Sequence, residues 1–331
     1  MKKVIVLAAA AAALAFAGQA AAADKKVLAI VVKGLDNAFF ESIHQGCEKW
    51  NSENASSEYT CFYTGPASTS DEAGEAQIVS DLLAKPDTAA IAISPSNAQL
   101  MAQTLRTAKP TIPILAIDAP FAAADMELVK TYVGTDNKTM GVKLGEFVKA
   151  NAASGGKICI IEGNPAAQNI LDRATGFREG LTGQKDLQAL TGQGGWTDAP
   201  GCPIFTNDDG AKGVQAMSDI LAANPDIKAF AMMGGWPLFM APQAYRDLFN
   251  PLKDKIASKD LLVVSTDTIG EEIPLLKEGL VQTLVGQVPK DMGYLAPGAM
   301  IKAIKGEKLD PNTYTGLDVC TKDNADTCVT K

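Results

Sequence analysis

The sequence predicts an α/β protein built as two doubly wound parallel-sheet lobes, and three observations predict it. Short apolar runs of strand length alternate with helix-period segments along almost the whole chain. The runs are continuously apolar, as strands covered on both faces must be. The alternation also comes in two copies. DLLAKPDTAAIAIS from Asp81 is similar to DILAANPDIKAFAMM from Asp219, each reading as a helix, a Pro-Asp turn and a strand.

Taken in order, the first 23 residues stand apart from that pattern. Lys2 and Lys3 make a positive start, residues 4–17 an apolar core, and Ala21-Ala22-Ala23 a small-residue cleavage site before Asp24. This is the pattern of a secretory signal peptide. The apolar run is short for a membrane span, and Asp24 stands where a lipid-anchored chain would need cysteine. From residue 24 onward the chain is expected to be exported, soluble and periplasmic.

The rest of the chain is organised around residues 30–50 (IVVKGLDNAFFESIHQGCEKW). The β-branched run at 27–32 predicts a buried strand. Phe40, Ile43, His44 and Cys47 then recur at helical spacing, so the period changes just after Asn37. Lys33, Asp36, Asn37, Phe39 and Phe40 therefore fall where a strand's carboxyl end meets a helix start, the place where open α/β sheets bind ligands. His44 shares the stripe of Phe40 and Cys47 and reads as a packed core-edge residue rather than a base.

Further strands are predicted at 59–63, 89–93, 114–117 and 128–133, separated by helices at 38–50, 73–83 and 98–107. The second half repeats the grammar. Its strands are predicted at 157–161, 202–205, 228–232, 261–265 and 281–286, and its helices at 139–150, 168–181, 211–221, 238–249 and 271–277. The Gly-rich segment 191–203, with Trp196, reads as an inserted loop.

Composition narrows the function classes. The formal charge of −8 becomes two units more acidic once Lys2 and Lys3 leave with the leader, which argues against a nucleic-acid partner. Six cysteines in an exported chain point to disulfides. Pairing neighbours in order gives Cys47–Cys61, Cys159–Cys202 and Cys320–Cys328, one of many possible connectivities. None of the spacings is a zinc pattern, and the chain holds one histidine, so neither a metal nor a cofactor is expected.

The motifs IVVKGLDNAFFESIHQG, AIDAP, QNILDRATGFREG, VVSTDT and VGQVPKDMG occur in an order and spacing that resemble the periplasmic sugar-binding proteins of the ribose-, galactose- and arabinose-binding type. That resemblance implies the type I periplasmic binding protein fold: two lobes joined by three chain crossings, closing on one small ligand. By that likeness the crossings fall near Thr135, Gln287 and Asp318. The first lobe then takes 24–134 plus 288–318 and the second 135–287 plus 319–331. The implied partners are a sugar or polyol ligand and an ABC transporter permease, or a chemoreceptor in a sensory variant, with the protein acting as a monomer.

The residue chemistry agrees. A sugar offers many hydroxyls and one or two apolar faces, so its pocket needs carboxylates, amides and an arginine in one plane with aromatic rings across it. Asp118 ends the run ILAID and Asp267 ends LLVVSTD, both at predicted strand ends. Arg173 offers a rigid fork of donors, Asn37 and Gln287 both donate and accept, and Phe39, Phe40 and Trp236 are the stacking candidates. Lys33 aligns with a ligand-touching lysine of the arabinose type. Each has a plainer reading: the aspartates as helix caps, Arg173 paired with Asp172 or Glu179 on its own helix, Trp236 as a helix start, Gln287 as a hinge bond, and one of the two phenylalanines as core.

Departures from the ribose type affect which ligand fits. Ala119 stands in place of an arginine, Gly234-Gly235 in place of an Asn-Asp pair, and Asn207 or Asp208 where an aromatic is common. These changes favour another pentose, hexose, polyol or sugar-like signal over ribose. The alternative is a sensory or quorum-signal binding protein feeding a chemoreceptor or kinase, and a secreted enzyme ranks below it. No GxSxG elbow, GxxxxGK loop or GxGxxG turn after the first strand is present, and no catalytic residues are expected. A sensory protein would share the fold and differ in partner.

Overall fold

The structure is a computed structural model that describes residues 25–152 and 154–328. The leader expected at 1–23 lies outside the described residues. Strands β1 (Lys26–Val31), β2 (Tyr59–Thr64), β3 (Thr88–Ile93), β4 (Ile114–Ile117) and β5 (Tyr132–Gly134) alternate with helices α1 (Ala38–Glu53), α2 (Glu72–Ala84) and α3 (Ala98–Ala108). Next come α4 (Asn137–Asn151), β6 (Gly156–Glu162), α5 (Gln168–Thr182), β7 (Trp196–Asp198), β8 (Ile204–Phe205), α6 (Gly210–Ala223) and β9 (Ile227–Met232). They are followed by α7 (Trp236–Phe239), α8 (Pro242–Phe249), α9 (Lys253–Ala257), β10 (Leu262–Thr266), α10 (Glu272–Glu278), β11 (Thr283–Gly286), α11 (Pro289–Ile304), β12 (Asn312–Tyr314) and β13 (Asp318–Thr321).

These form two sheets. The first runs β12-β5-β4-β3-β1-β2, all parallel. The second runs β13-β11-β10-β9-β6-β7, with β8 also on β6, and only β13 is antiparallel to its neighbour. The chain passes between sheets three times: after β5, after β11, and between β12 and β13.

Alternate residues of each central strand feed opposite cores, which is why these strands are apolar without a break. Leu28 and Ile30 of β1 join Phe40 and Ile43 of α1 and Met292 and Ala296 of α11. Ala29 and Val31 face the other way, toward Val79 of α2 and Met101 of α3. In the second sheet Ile158 and Ile160 meet α4 and α5, while Cys159 and Ile161 meet α6 and α8. Helix starts are set by side-chain caps: Asn37, Asp71, Asn97, Asp136 and Asp209 each accept a backbone N–H two or three residues on. Helices α4 and α5 cross closely enough that a Cβ on Gly141 or Gly145 would overlap the α5 backbone. Disulfides join Cys47 to Cys61, Cys159 to Cys202 and Cys320 to Cys328.

Several boundaries differ from the sequence expectation. The helix expected over 238–249 is two, because Pro242 has no N–H to continue the ladder and starts α8 afresh. The strand expected over 128–133 begins only at Tyr132, since residues 123–128 form a 3₁₀ turn. Of 202–205 only Ile204 and Phe205 pair with β6. The segment 191–203 is not simply a loop: it contributes β7 to the sheet edge and buries Trp196 in the core. Asp318 is not in the third crossing but already in β13, opposite Gly286, so that crossing lies at 315–317.

Candidate functional site

The carboxyl ends of strands from both sheets face one another, and every candidate binding residue lies there. Lys33, Asn37, Phe39, Phe40, Asp118, Arg173, Trp236, Asp267 and Gln287 line one cavity of about 30 Å³, together with Asn169, Ile170, Asp208 and Phe239.

The first lobe supplies its share from two strand ends. Lys33 follows β1 and is buried; its Nζ donates to Asn169 Oδ1 across the cleft (3.1 Å) and lies 3.8 Å from Asp118 Oδ2. Asn37 caps α1 by accepting from Phe39 N (2.9 Å), which turns Phe39 and Phe40 toward the cavity. The two rings meet edge to face at 5.4 Å between centroids. Both join the core cluster and both line the cavity, so neither is core alone. Asp118 follows β4 with φ of 60° and accepts the Ser94 hydroxyl (2.6 Å).

The second lobe answers with a matching set. Asp267 follows β10 with φ of 73° and accepts from Gly235 N (3.1 Å) and Gln287 Nε2 (2.6 Å). Both aspartates thus occupy the left-handed region sparingly used by non-glycine residues, a cost met often at functional sites. Arg173 on α5 is buried and bonds neither Asp172 nor Glu179. Its Nε donates to Asn137 Oδ1 (2.8 Å) and its Nη1 to Met233 O (2.9 Å). Trp236 both starts α7 and lines the cavity.

Gln287 stands on the second crossing and does two jobs. Its Oε1 accepts from Thr135 Oγ1 on the first crossing (2.7 Å) while its amide reaches Asp267. The hinge and the cavity therefore share one hydrogen-bond chain.

Asn169, Ile170 and Phe239 were not singled out from the sequence, and Asp208 was marked only, with Asn207, as standing where an aromatic is common. Asn169 and Ile170 lie four and three residues before Arg173, so helical spacing alone puts them on its face. Phe239 stands three residues after Trp236 in the same way. Asp208 follows a two-residue strand, too short to signal a strand end. It accepts from Asn164 N (3.1 Å), and burial pushes its carboxyl above the usual range while Lys33 pulls it down. Gly163 beside it has no freedom for a side chain, because a Cβ would overlap the Asp208 carboxylate and the Trp236 ring.

Elsewhere, His44 stacks on Tyr63 at 4.5 Å between Glu41 and Glu48, apart from the cavity. Among the described residues no helix is long and apolar enough to cross a membrane.

Two parallel-sheet lobes, three crossings and one polar, aromatic-walled cavity between opposed strand ends define a two-lobed binding protein of type I. The chain belongs to the periplasmic binding protein family, whose domain model matches residues 28–308. It is 25% identical over 299 residues to the ribose import binding protein of Salmonella typhimurium, covering 90% of this chain and 91% of that one. In fold it is similar to a Burkholderia graminis solute-binding protein in complex with D-arabinose (TM-score 0.77, 24% identity, 93% of this chain and 99% of that one). It is also similar to an Agrobacterium vitis solute-binding protein bound with α-D-tagatopyranose (TM-score 0.78, 19% identity, 92% and 98%).

Proposed function

We propose that this protein captures a monosaccharide or similar polyhydroxylated small molecule between its lobes and delivers it to an ABC transporter permease. The observation that carries this is the composition of the cavity: carboxylates, amides, a lysine and an arginine converge with three phenylalanines and a tryptophan. Such a set offers donors and acceptors for hydroxyls and rings for C–H faces. Family membership supports the transport role, and the bound sugars of the two similar structures support the ligand class. The site binds rather than catalyses, and Lys33, Asn37, Phe39, Phe40, Asp118, Arg173, Trp236, Asp267 and Gln287 hold the ligand.

The first lobe is residues 24–134 with 288–317, the second 135–287 with the tail from Asp318, and the leader 1–23 exports the chain to the periplasm as a soluble protein. Ligand shifts the lobes toward closure by its differential affinity for the closed arrangement. The test is a thermal-shift screen of the protein lacking residues 1–23 against pentoses, hexoses, deoxy sugars, polyols, amino sugars and sugar acids. A ligand that binds only the folded state must raise the midpoint. A clear rise with one member is expected, and a flat response across the panel would sink the proposal.

A further inference from the structure

The charge in the cavity is not balanced. Lys33 and Arg173 bring two positive charges, and Asp118, Asp208 and Asp267 bring three negative ones. Behind this ring the adjoining ionisable groups are Glu75 on the Lys33 side and Glu272 behind Asp267, both held toward the neutral form by burial, and the Tyr132 phenol beside Asp118, so none of them supplies a cation. Ala119, next to Asp118, adds no charge.

Hydrogen bonds and ion pairs together assign the surplus to one residue. Asp118 accepts the Ser94 hydroxyl and faces the Lys33 ammonium at 3.8 Å, both through Oδ2. Its Oδ1 takes no hydrogen bond among the described residues, but its charge has a cation beside it, and both oxygens of Asp267 are bonded. Asp208 uses Oδ1 for Asn164 N, while its Oδ2 takes no hydrogen bond among the described residues. The residue is 7% exposed and lines the cavity. The two cations are directed elsewhere, Lys33 to Asn169 and Arg173 to Asn137 and Met233.

This carboxylate is held firmly in place. Thr206 N and Asn207 N donate to Glu162 O (2.9 Å) and Gly163 O (3.2 Å), fixing the chain beyond β8 to the end of β6. Asn207 and Asp208 then both take positive φ, 52° and 61°, which turns Asp208 inward. A buried carboxylate with one uncommitted oxygen is costly unless a cation or a proton meets it.

We propose that the ligand carries a protonated amine and that Asp208 receives it, so that the site takes an amino sugar or amino polyol and turns away sugar acids. This rests on the reading of the site as a binding site for a polyhydroxylated small molecule, and it specifies the class. The amine supplies the missing positive charge and donates to Asp208 Oδ2. A ligand carboxylate would add a second uncompensated negative charge to the cavity.

The test is titration calorimetry at neutral pH with matched series on pentose and hexose frames: the neutral sugar, its 2-amino-2-deoxy analogue and its acid. In one series at least, the amine should bind about tenfold or more tighter than its neutral parent, with the acid weakest, as a charge-assisted bond implies. Asp208→Asn should cost the amine about 10- to 100-fold and remove its lead over the neutral parent. Neutral parents binding as tightly as their amines would overturn the amine assignment and leave the proposed function standing. No binding anywhere in the series or the wider panel would overturn both. The ranking in the unaltered protein decides the matter even if Asp208→Asn folds poorly.

Discussion

At the scale of single residues, Asp118 and Asp267 carry the strongest expectation because their settings are so similar. Each closes a buried strand, takes positive φ and holds a carboxylate at the cavity wall. Asparagine tolerates left-handed backbone, so Asp118→Asn and Asp267→Asn remove charge without forcing the chain to move. A hydrogen bond to a charged group is worth roughly 1.5–3 kcal/mol, so each variant should bind ligand about 10- to 100-fold more weakly. Calorimetry reads this directly, and unchanged affinity in both would place the ligand elsewhere. These two were legible in the sequence because a long apolar run points at the residue that ends it. Asp208 carries a similar carboxylate into the cavity but follows a strand of two residues, which casts no such pointer. For two other residues the plain role and a place in the cavity wall are compatible. Trp236 starts a helix and faces the cavity, and Gln287 serves hinge and pocket together.

At the scale of elements, the central strands were legible for the physical reason that burial on both faces forbids polar residues. What could not be read were pieces whose existence depends on partners far along the chain. Strands β7, β12 and β13 are each three or four residues long and are strands only because β6, β5 and β11 stand ready to pair with them. Helix α11 contains Pro297 and two glycines, which blur its pattern, yet Gly293 allows the close contact with α1 that fixes it. Between elements, Glu75 braces α2 against the turn after β3, accepting from the backbone N–H and the hydroxyl of Ser96. Burial pushes its carboxyl from 4.5 up to about 7, with the Ser96 bonds and Lys33 pulling the other way. The folded chain therefore keeps a proton that the unfolded chain releases. The stability tied to that proton is fully present below pH 4.5 and is lost as pH rises through about 7. The shift corresponds to about 3 kcal/mol, and Glu75→Gln, neutral throughout, abolishes it. Urea denaturation at pH 5 and pH 8 should show the variant gaining on the parent at the higher pH. Parallel pH profiles for the two proteins would show that Glu75 does not titrate as argued.

At the scale of the whole molecule, the lobes meet away from the cavity as well as around it. Asn164 Nδ2 donates to Glu72 Oε1 (2.6 Å), and Ala98 N to Ala166 O (3.1 Å), both between lobes and separate from the hinge bond of Thr135 with Gln287. Phe239 and Ile269 of the second lobe join the cluster of Phe39 and Phe40 of the first. These contacts exist only when the lobes are together, so they add to the ligand's own pull on the open–closed equilibrium. Glu72 also holds Asn97 (2.8 Å) but does not line the cavity. Glu72→Ala therefore weakens closure and leaves every ligand contact in place. If the lost contact is worth about 1–2 kcal/mol, apparent affinity falls about 5- to 30-fold through the population of the closed form alone. Small-angle scattering of the ligand-free variant should then show a larger radius of gyration than the parent, and saturating ligand should bring the two together. A weaker affinity with identical scattering would mean that Glu72 acts on the pocket and not on closure. An unchanged affinity would mean that the ligand, and not the lobe edges, holds the molecule shut.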